Sequence, residues 1–140
     1  MEQQGTIKCL VSDDGEPVTE FTTMHDSPCV IEGAEYRLVG DQGGFHLAGP
    51  LGRVAAAAWT SRTTLAIEAE SVELSLHRIG RFRKHWELHR GDEVVGTCRV
   101  TTFNATAEVP EDLPMPLRVF VFYVAIVANK GPLTSGALWA

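Results

Sequence analysis

The ten residues from Val119 to Ala128 carry no polar group other than the Tyr123 hydroxyl. A segment that is apolar on every side has no face for solvent, so it must be enclosed by protein or by lipid. A bilayer requires about 20 apolar residues, and the run is interrupted too early for that by Arg118 on one side and Asn129 on the other. The run therefore predicts an element buried in protein, not a transmembrane segment.

The composition of this run favours a strand, whereas its flanks favour a helix. Valine, isoleucine, phenylalanine and tyrosine fill most of it, and these residues are enriched in strands. Pro114 and Pro116 suit the first turn of a helix, and Gly131 near the other end is typical of a helix C-terminus. Hydrophobic periodicity does not distinguish a helix from a strand here, because every position of the run is apolar. We predict a helix over 113–129, with a strand over 117–128 as the alternative.

The whole chain has the composition of one globular domain, with 140 residues of which 44% are hydrophobic and 21% charged. Its net charge of −6 argues against general nucleic-acid binding. The first residues show neither the basic region nor the apolar run of a signal peptide, and the three cysteines are scattered without CxxC spacing. We therefore expect a cytoplasmic protein without a metal, a cofactor or a disulfide.

Before the apolar run, the sequence is typical of a β-sheet. From residue 36 turn signals recur at intervals of about eight to twelve residues, and no amphipathic helix precedes residue 113. Residues 71–78 and 82–88 alternate apolar with polar side chains, as half-buried strands do. This order predicts a mainly β fold, a closed antiparallel β-barrel that has few free edges. A C-terminal hydrophobic helix would then pass through its centre.

Other stretches are less regular. Residues 6–12 predict a strand that ends at the turn Asp13-Asp14-Gly15, and 18–24 could pair back across that turn. Residues 25–34 show no firm pattern. Residues 53–59 include four consecutive alanines and fit either a strand or one helical turn.

Three features of the sequence resemble those of a known family. They are the strand from Glu35 to Val39 before a glycine turn, the hairpin from Trp86 to Gly96, and the proline-led apolar segment. Together they resemble the tubby C-terminal-like superfamily, which includes the tubby, LURP-one-related and phospholipid-scramblase barrels. The resemblance covers residues 35–130 of a single domain, 1–140, and leaves 131–140 as a tail. It implies a closed barrel around a central hydrophobic helix.

The resemblance also implies a function, a non-enzymatic binding or adaptor module. Tubby members bind phosphoinositide headgroups through basic residues on the outer surface of the barrel. In this chain the analogous candidates surround the glycine turn at Gly80, within a segment that contrasts with the acidic first half of the chain. The candidate ligand-binding residues are Arg78, Arg81, Arg83 and Lys84. The alternative is a solvated hairpin whose bases only balance the acidic first half of the chain. The expected partner is an anionic lipid or a protein, and the expected location is the cytoplasm, peripherally at a membrane.

A second pattern in the same segment has metal-ligating residue types. On a strand, His85, Glu87 and His89 project to one side at spacings of about 6.5–7 Å. Such a triplet can bind a metal, or the carboxylate can orient an imidazole as a general base. Alternation on any polar strand face produces similar triplets, so we predict no metal site here.

An enzyme or carrier is the alternative function. A small β-barrel with an open interior, such as a cyclase, an isomerase or a lipocalin-like binder, would hold an apolar small molecule. The run at 117–128 would then be a strand or a plug. The polar residues available for proton transfer or substrate orientation would be His46, Tyr36, His85 and Glu87. The sequence contains no nucleophile elbow, phosphate loop or dinucleotide fingerprint. Barrels of this kind act mainly by holding a substrate in a reactive geometry, so the absence of a motif does not exclude an enzyme. Of the two functions we favour the non-enzymatic one.

Overall fold

The computed structural model describes residues 1–5, 8–23, 26–40, 43–79, 85–101 and 104–134, with side chains as far as Ala128. Over these residues the chain forms twelve strands followed by an α-helix, α1 (Met115–Thr134). The strands are β1 (Glu2–Gln4), β2 (Lys8–Asp13), β3 (Glu16–Thr22), β4 (Asp26–Ile31), β5 (Ala34–Gly40), β6 (Gly44–Gly49), β7 (Gly52–Trp59), β8 (Thr64–Ala69), β9 (Val72–Ile79), β10 (His85–Arg90), β11 (Glu93–Val100) and β12 (Asn104–Glu108).

The strands form one antiparallel sheet in the order β3-β2-β1-β12-β11-β10-β9-β8-β7-β6-β5-β4. The sheet curls into a nearly closed barrel, so the predicted mainly β barrel is confirmed. Its two edge strands, β3 and β4, meet along a line that we call the seam. No ladder joins them within the described residues, although the Thr22 amide donates to Ser27 Oγ over 2.7 Å.

Helix α1 runs through the centre of this barrel. Each residue from Val119 to Ile126 is at most 1% exposed. Because a helix completes a turn every 3.6 residues, burial of consecutive residues means burial on every face. The predicted central helix is therefore confirmed, and the alternative strand over 117–128 is wrong. The helix begins two residues later than predicted and continues past Gly131 to Thr134.

The barrel wall encloses the helix with alternating inward side chains. Large aliphatic residues such as Leu38, Leu47 and Leu88 are fully buried, while Phe21 and Phe45 meet the ring of Tyr123 edge to face, with centroids 5.4 and 6.1 Å away. Strand β7 contributes only small inward residues near its middle, which leaves room for the helix. The four-alanine stretch is therefore a strand.

The up-and-down order of the strands gives the barrel two distinct ends. At the end that we call upper, the chain turns at residues 14–15, 32–33, 50–51, 70–71 and 91–92, and α1 begins. At the other, lower end lie the remaining connections between consecutive strands. Arg118 fixes the start of the helix at the upper end, since its Nε donates to the Leu113 carbonyl over 2.8 Å and its Nη1 lies 3.7 Å from Asp13.

Candidate functional site

Arg78, a predicted surface ligand for anions, lies inside the barrel near its lower end. It is 8% exposed, and its guanidinium carbon lies 4.8 Å from the ring centroid of Trp86 and 5.4 Å from that of Trp59. Strand alternation explains this placement, because Arg78 shares the inward face of β9 with Leu74 and Leu76. The expectation that Arg78 belongs to an exposed cluster must therefore be corrected.

Arg78 also contacts the central helix. Its Nη2 donates to the Ala128 carbonyl over 3.4 Å, and its Nη1 lies 3.5 Å from the Arg62 carbonyl oxygen. In an α-helix the carbonyl of residue 128 accepts from the amide of residue 132. Residue 132 is proline and has no N–H to donate. Arg78 thus supplies from the barrel wall a donor that the helix sequence lacks.

The other three basic candidates, Arg81, Arg83 and Lys84, lie outside the described residues. Their described neighbours, Ile79 and His85, are paired in the β9–β10 ladder at the lower end.

Charge is distributed unequally between the two ends. Among the described residues, each upper turn except 50–51 has a carboxylate within it or immediately beside it, and more carboxylates follow β12. These acidic residues are Asp13, Asp14, Glu16, Glu32, Glu70, Asp92, Glu93, Glu108, Glu111 and Asp112. One base, Arg90, lies beside these upper turns. Counted in the same way, the sequences of the lower connections and the residues beside them contain the bases Lys8, Arg62, Arg81, Arg83 and Lys84, against the acids Asp26 and Asp41. The barrel is therefore acidic at its upper end, whereas the lower connections are basic in sequence.

Two strands place a histidine row on the outer face of the wall, formed by Ser75 and His77 on β9 and by Glu87 and His89 on β10. Ser75 Oγ lies 2.8 Å from His77 Nε2, and the two imidazole centroids are 4.0 Å apart. His89 Nε2 lies 3.2 Å from Glu87 Oε1. Burial lowers the pKa of His77 from its ordinary 6.5, and His89 lowers it further, against an opposing effect of Glu87.

The predicted triplet of His85, Glu87 and His89 is only partly brought together. Glu87 and His89 are in contact, whereas His85 Nε2 is buried without a hydrogen-bond partner in the part of the chain that the structure describes. Within that part, no group of three or more His, Cys, Asp or Glu side chains is arranged to hold a metal ion.

The residues considered for the alternative enzyme do not converge on one cavity. His46 lies between inward-facing Phe45 and Leu47 on β6, so its side chain is on the outer face. Tyr36 is on β5 at the upper end, while Glu87 is on β10, which three strands separate from β6. The helix occupies the interior that an enzyme or carrier of this kind would need.

The sequence did not indicate an open groove of about 840 Å³ at the upper end of β5 to β8. We call it the upper groove. Its walls combine apolar surface with carboxylates, and Tyr36 packs over Gly49, where an added Cβ would lie 3.1 Å from the ring. The lining residues that matter below are Tyr36, Leu51, Arg53, Val54, Glu68 and Glu70. They lie on three different strands and two turns, so it is the register in which the strands pair that brings them together.

Comparisons with other proteins give no match. The chain matches no protein-family model, no curated protein and no solved structure. Of the helices in the described residues, none is long and apolar enough to span a bilayer. The contacts and charges of the chain itself therefore carry the functional inference.

Proposed function

We propose that this chain is a non-enzymatic binding module built on a tubby-like barrel, and that it binds anionic lipid or phosphate headgroups at its lower end. The residues that make the contact are Arg81, Arg83 and Lys84. The observation that carries the proposal is the complete burial of α1 from Val119 to Ile126. Because the helix fills the interior, recognition takes place on the outside of the barrel.

The distribution of charge supports the choice of the lower end. An anionic surface attracts the basic lower connections and repels the acidic upper turns, so the barrel would approach it in one orientation. Each base close to an anionic membrane contributes on the order of 1 kcal/mol. Three bases therefore give weak, reversible and salt-sensitive attachment, as for a cytoplasmic protein that binds a membrane peripherally.

Arg78 has a different role in this proposal. Its guanidinium is inside the barrel, against the rings of Trp59 and Trp86 and the end of the helix. It is therefore a structural residue that holds the helix in place, and it contributes no direct contact to a headgroup.

The proposal is tested by co-sedimentation with vesicles of phosphatidylcholine, with and without phosphatidylserine or a phosphoinositide. The variant Arg81→Glu/Arg83→Glu should lose binding to the anionic vesicles. The control Arg37→Glu/Arg53→Glu makes the same change in net charge at exposed residues of β5 and β7, and it should keep binding.

Two further results separate the outcomes. Competition by a soluble inositol phosphate would show that the headgroup alone is recognised, whereas its failure to compete would assign binding to the membrane surface. Equal loss of binding in both variants would mean general charge attraction, and unchanged binding in the first variant would overturn the proposal.

A further inference from the structure

The upper groove has exposed apolar side chains among the residues that line it. Leu51 is fully exposed at the tip of the β6–β7 turn, and Val54, at the bulge in β7, is 40% exposed. Tyr36 forms the adjoining wall. A groove of about 840 Å³ is in the range of ligand-binding pockets, and apolar surface gathered in a concave site is typical of an interaction site.

The groove is also acidic. Glu68 and Glu70 line it together with a single base, Arg53. In the described part of the chain none of these three makes an ion pair. By contrast, other upper-end carboxylates do have partners: Asp112 lies 3.2 Å from Arg90, and Asp13 lies near Arg118.

One arrangement beside the groove is unfavourable in the free protein. Glu68 on β8 is directly opposite Glu73 on β9 in the antiparallel register. Like charges directly opposite on neighbouring strands destabilise a sheet. A cationic group bound between them would relieve this repulsion, so the register itself favours a positively charged occupant.

We propose that the upper groove docks a cationic segment of a protein partner, with an apolar side chain of that segment against Leu51, Val54 and Tyr36. Its basic side chains pair with Glu68, Glu70 and Glu73. The combination of apolar surface and unpaired carboxylates fits such a segment better than a purely polar cation or a neutral apolar molecule. This inference is independent of headgroup binding at the lower end.

The probe for this proposal is a fluorescein-labelled peptide, Arg-Arg-Leu-Trp-Arg-Arg, followed by fluorescence anisotropy with the full chain. A second peptide with serine in place of leucine and tryptophan keeps the charge and removes the apolar anchor. The wild-type chain should bind the first peptide more tightly than the second. Binding should also weaken as salt rises.

Matched variants locate the contact. Glu68→Gln/Glu70→Gln should weaken binding of the first peptide about tenfold, and Leu51→Ser should weaken it without changing the charge. The control Glu16→Gln/Glu93→Gln makes the same change in net charge at two other upper turns and should remain within about twofold of wild type.

Three results would overturn the proposal. The first is equal weakening by the groove and control variants, which would mean general attraction to the acidic end. The second is equal binding of the two peptides, or no binding at all. The third is self-association of the wild-type chain that Leu51→Ser abolishes, since the occupant would then be a second copy of this chain.

Discussion

Arg78 Nη2 donates to the carbonyl oxygen of Ala128, fifty residues further along the chain, over a distance of 3.4 Å. The donor belongs to the wall and the acceptor to the central helix, at the point where Pro132 leaves a helical carbonyl without its usual partner. A single long side chain therefore joins the two parts of the fold near the lower end.

The role of this contact can be measured by a double-mutant cycle. Arg78→Met should destabilise the protein by about 1–3 kcal/mol, because it leaves a buried carbonyl without a donor. Pro132→Ala restores an amide that can donate to that carbonyl, so Arg78→Met should cost less in the Pro132→Ala background. Urea unfolding of the four proteins gives the coupling energy. Equal costs in both backgrounds would show that Arg78 stabilises the fold through other contacts.

The sequence predicted the central helix and the barrel because two strong patterns agreed. The ten apolar residues have no face for water, and regular alternation, as in 71–78, predicts a sheet with one face available to enclose them. The strand β4 gave no such signal, since Pro28 interrupts it. Proline is tolerated there because β4 is an edge strand at the seam.

The site was harder to predict because its contacts join residues that are distant in the chain. For Arg78 the signal was present: continuing the alternation of Leu74 and Leu76 by one step places it inside. For Glu68 and Glu73 there was no signal, since a sequence does not show which residues become opposite neighbours. The upper groove depends on the same register and was missed for that reason.

The opposition of Glu68 and Glu73 predicts a stabilising substitution. Glu73→Gln removes one of two like charges, and it should raise the free energy of unfolding by about 0.2–1 kcal/mol at low salt. The gain should shrink as salt is added. Glu20→Gln is the control, because Glu20 lies 3.0 Å from Lys8 and its loss should bring no gain. Lower stability of Glu73→Gln at low salt would contradict the prediction.

The histidine row predicts a dependence of stability on pH. Burial, followed by His89, lowers the pKa of His77 below its ordinary 6.5, so the unfolded chain binds more protons at this site than the folded chain does. The stability that the neutral His77 imidazole contributes is therefore complete above its ordinary pKa of 6.5. It is lost as the pH falls from that pKa toward the lower pKa of the folded state.

We expect the free energy of unfolding to fall more steeply between about pH 7.5 and about pH 5.5 in the wild type than in His77→Gln. His46→Gln, on the outer face of β6, is the control and should follow the wild type. Urea titrations at a series of pH values give the curves. Parallel curves for the wild type and His77→Gln would exclude a contribution from this imidazole.

The three buried cysteines predict a graded resistance to thiol reagents. Burial raises the pKa of Cys98 to about 12, and burial also raises the pKa of Cys29, although a hydrogen bond with Thr19 opposes it. Cys9 is equally buried. In the native state all three thiols should react slowly, because a reagent reaches a buried thiol only when the wall opens; for Cys98 and Cys29 the raised pKa also keeps the nucleophilic thiolate scarce.

Single-cysteine variants treated with Ellman's reagent should react in a definite order. Cys29 is on β4 beside the seam and should react first, whereas Cys98 is on β11 in the interior of the sheet and should react last. In urea the differences should disappear. A native rate for Cys98 as fast as that for Cys29 would mean that the wall opens elsewhere.

The seam gives the protein a preferred direction of opening. None of the eleven described strand pairings crosses the seam. Strands β3 and β4 can therefore part while every described ladder stays intact. The molecule is in this sense a rolled sheet, and unrolling by a fraction of its circumference would uncover Tyr123, which packs against Phe21 on β3. Water would then reach the aromatic middle of the helix while each described strand was still hydrogen-bonded to its partner in the sheet.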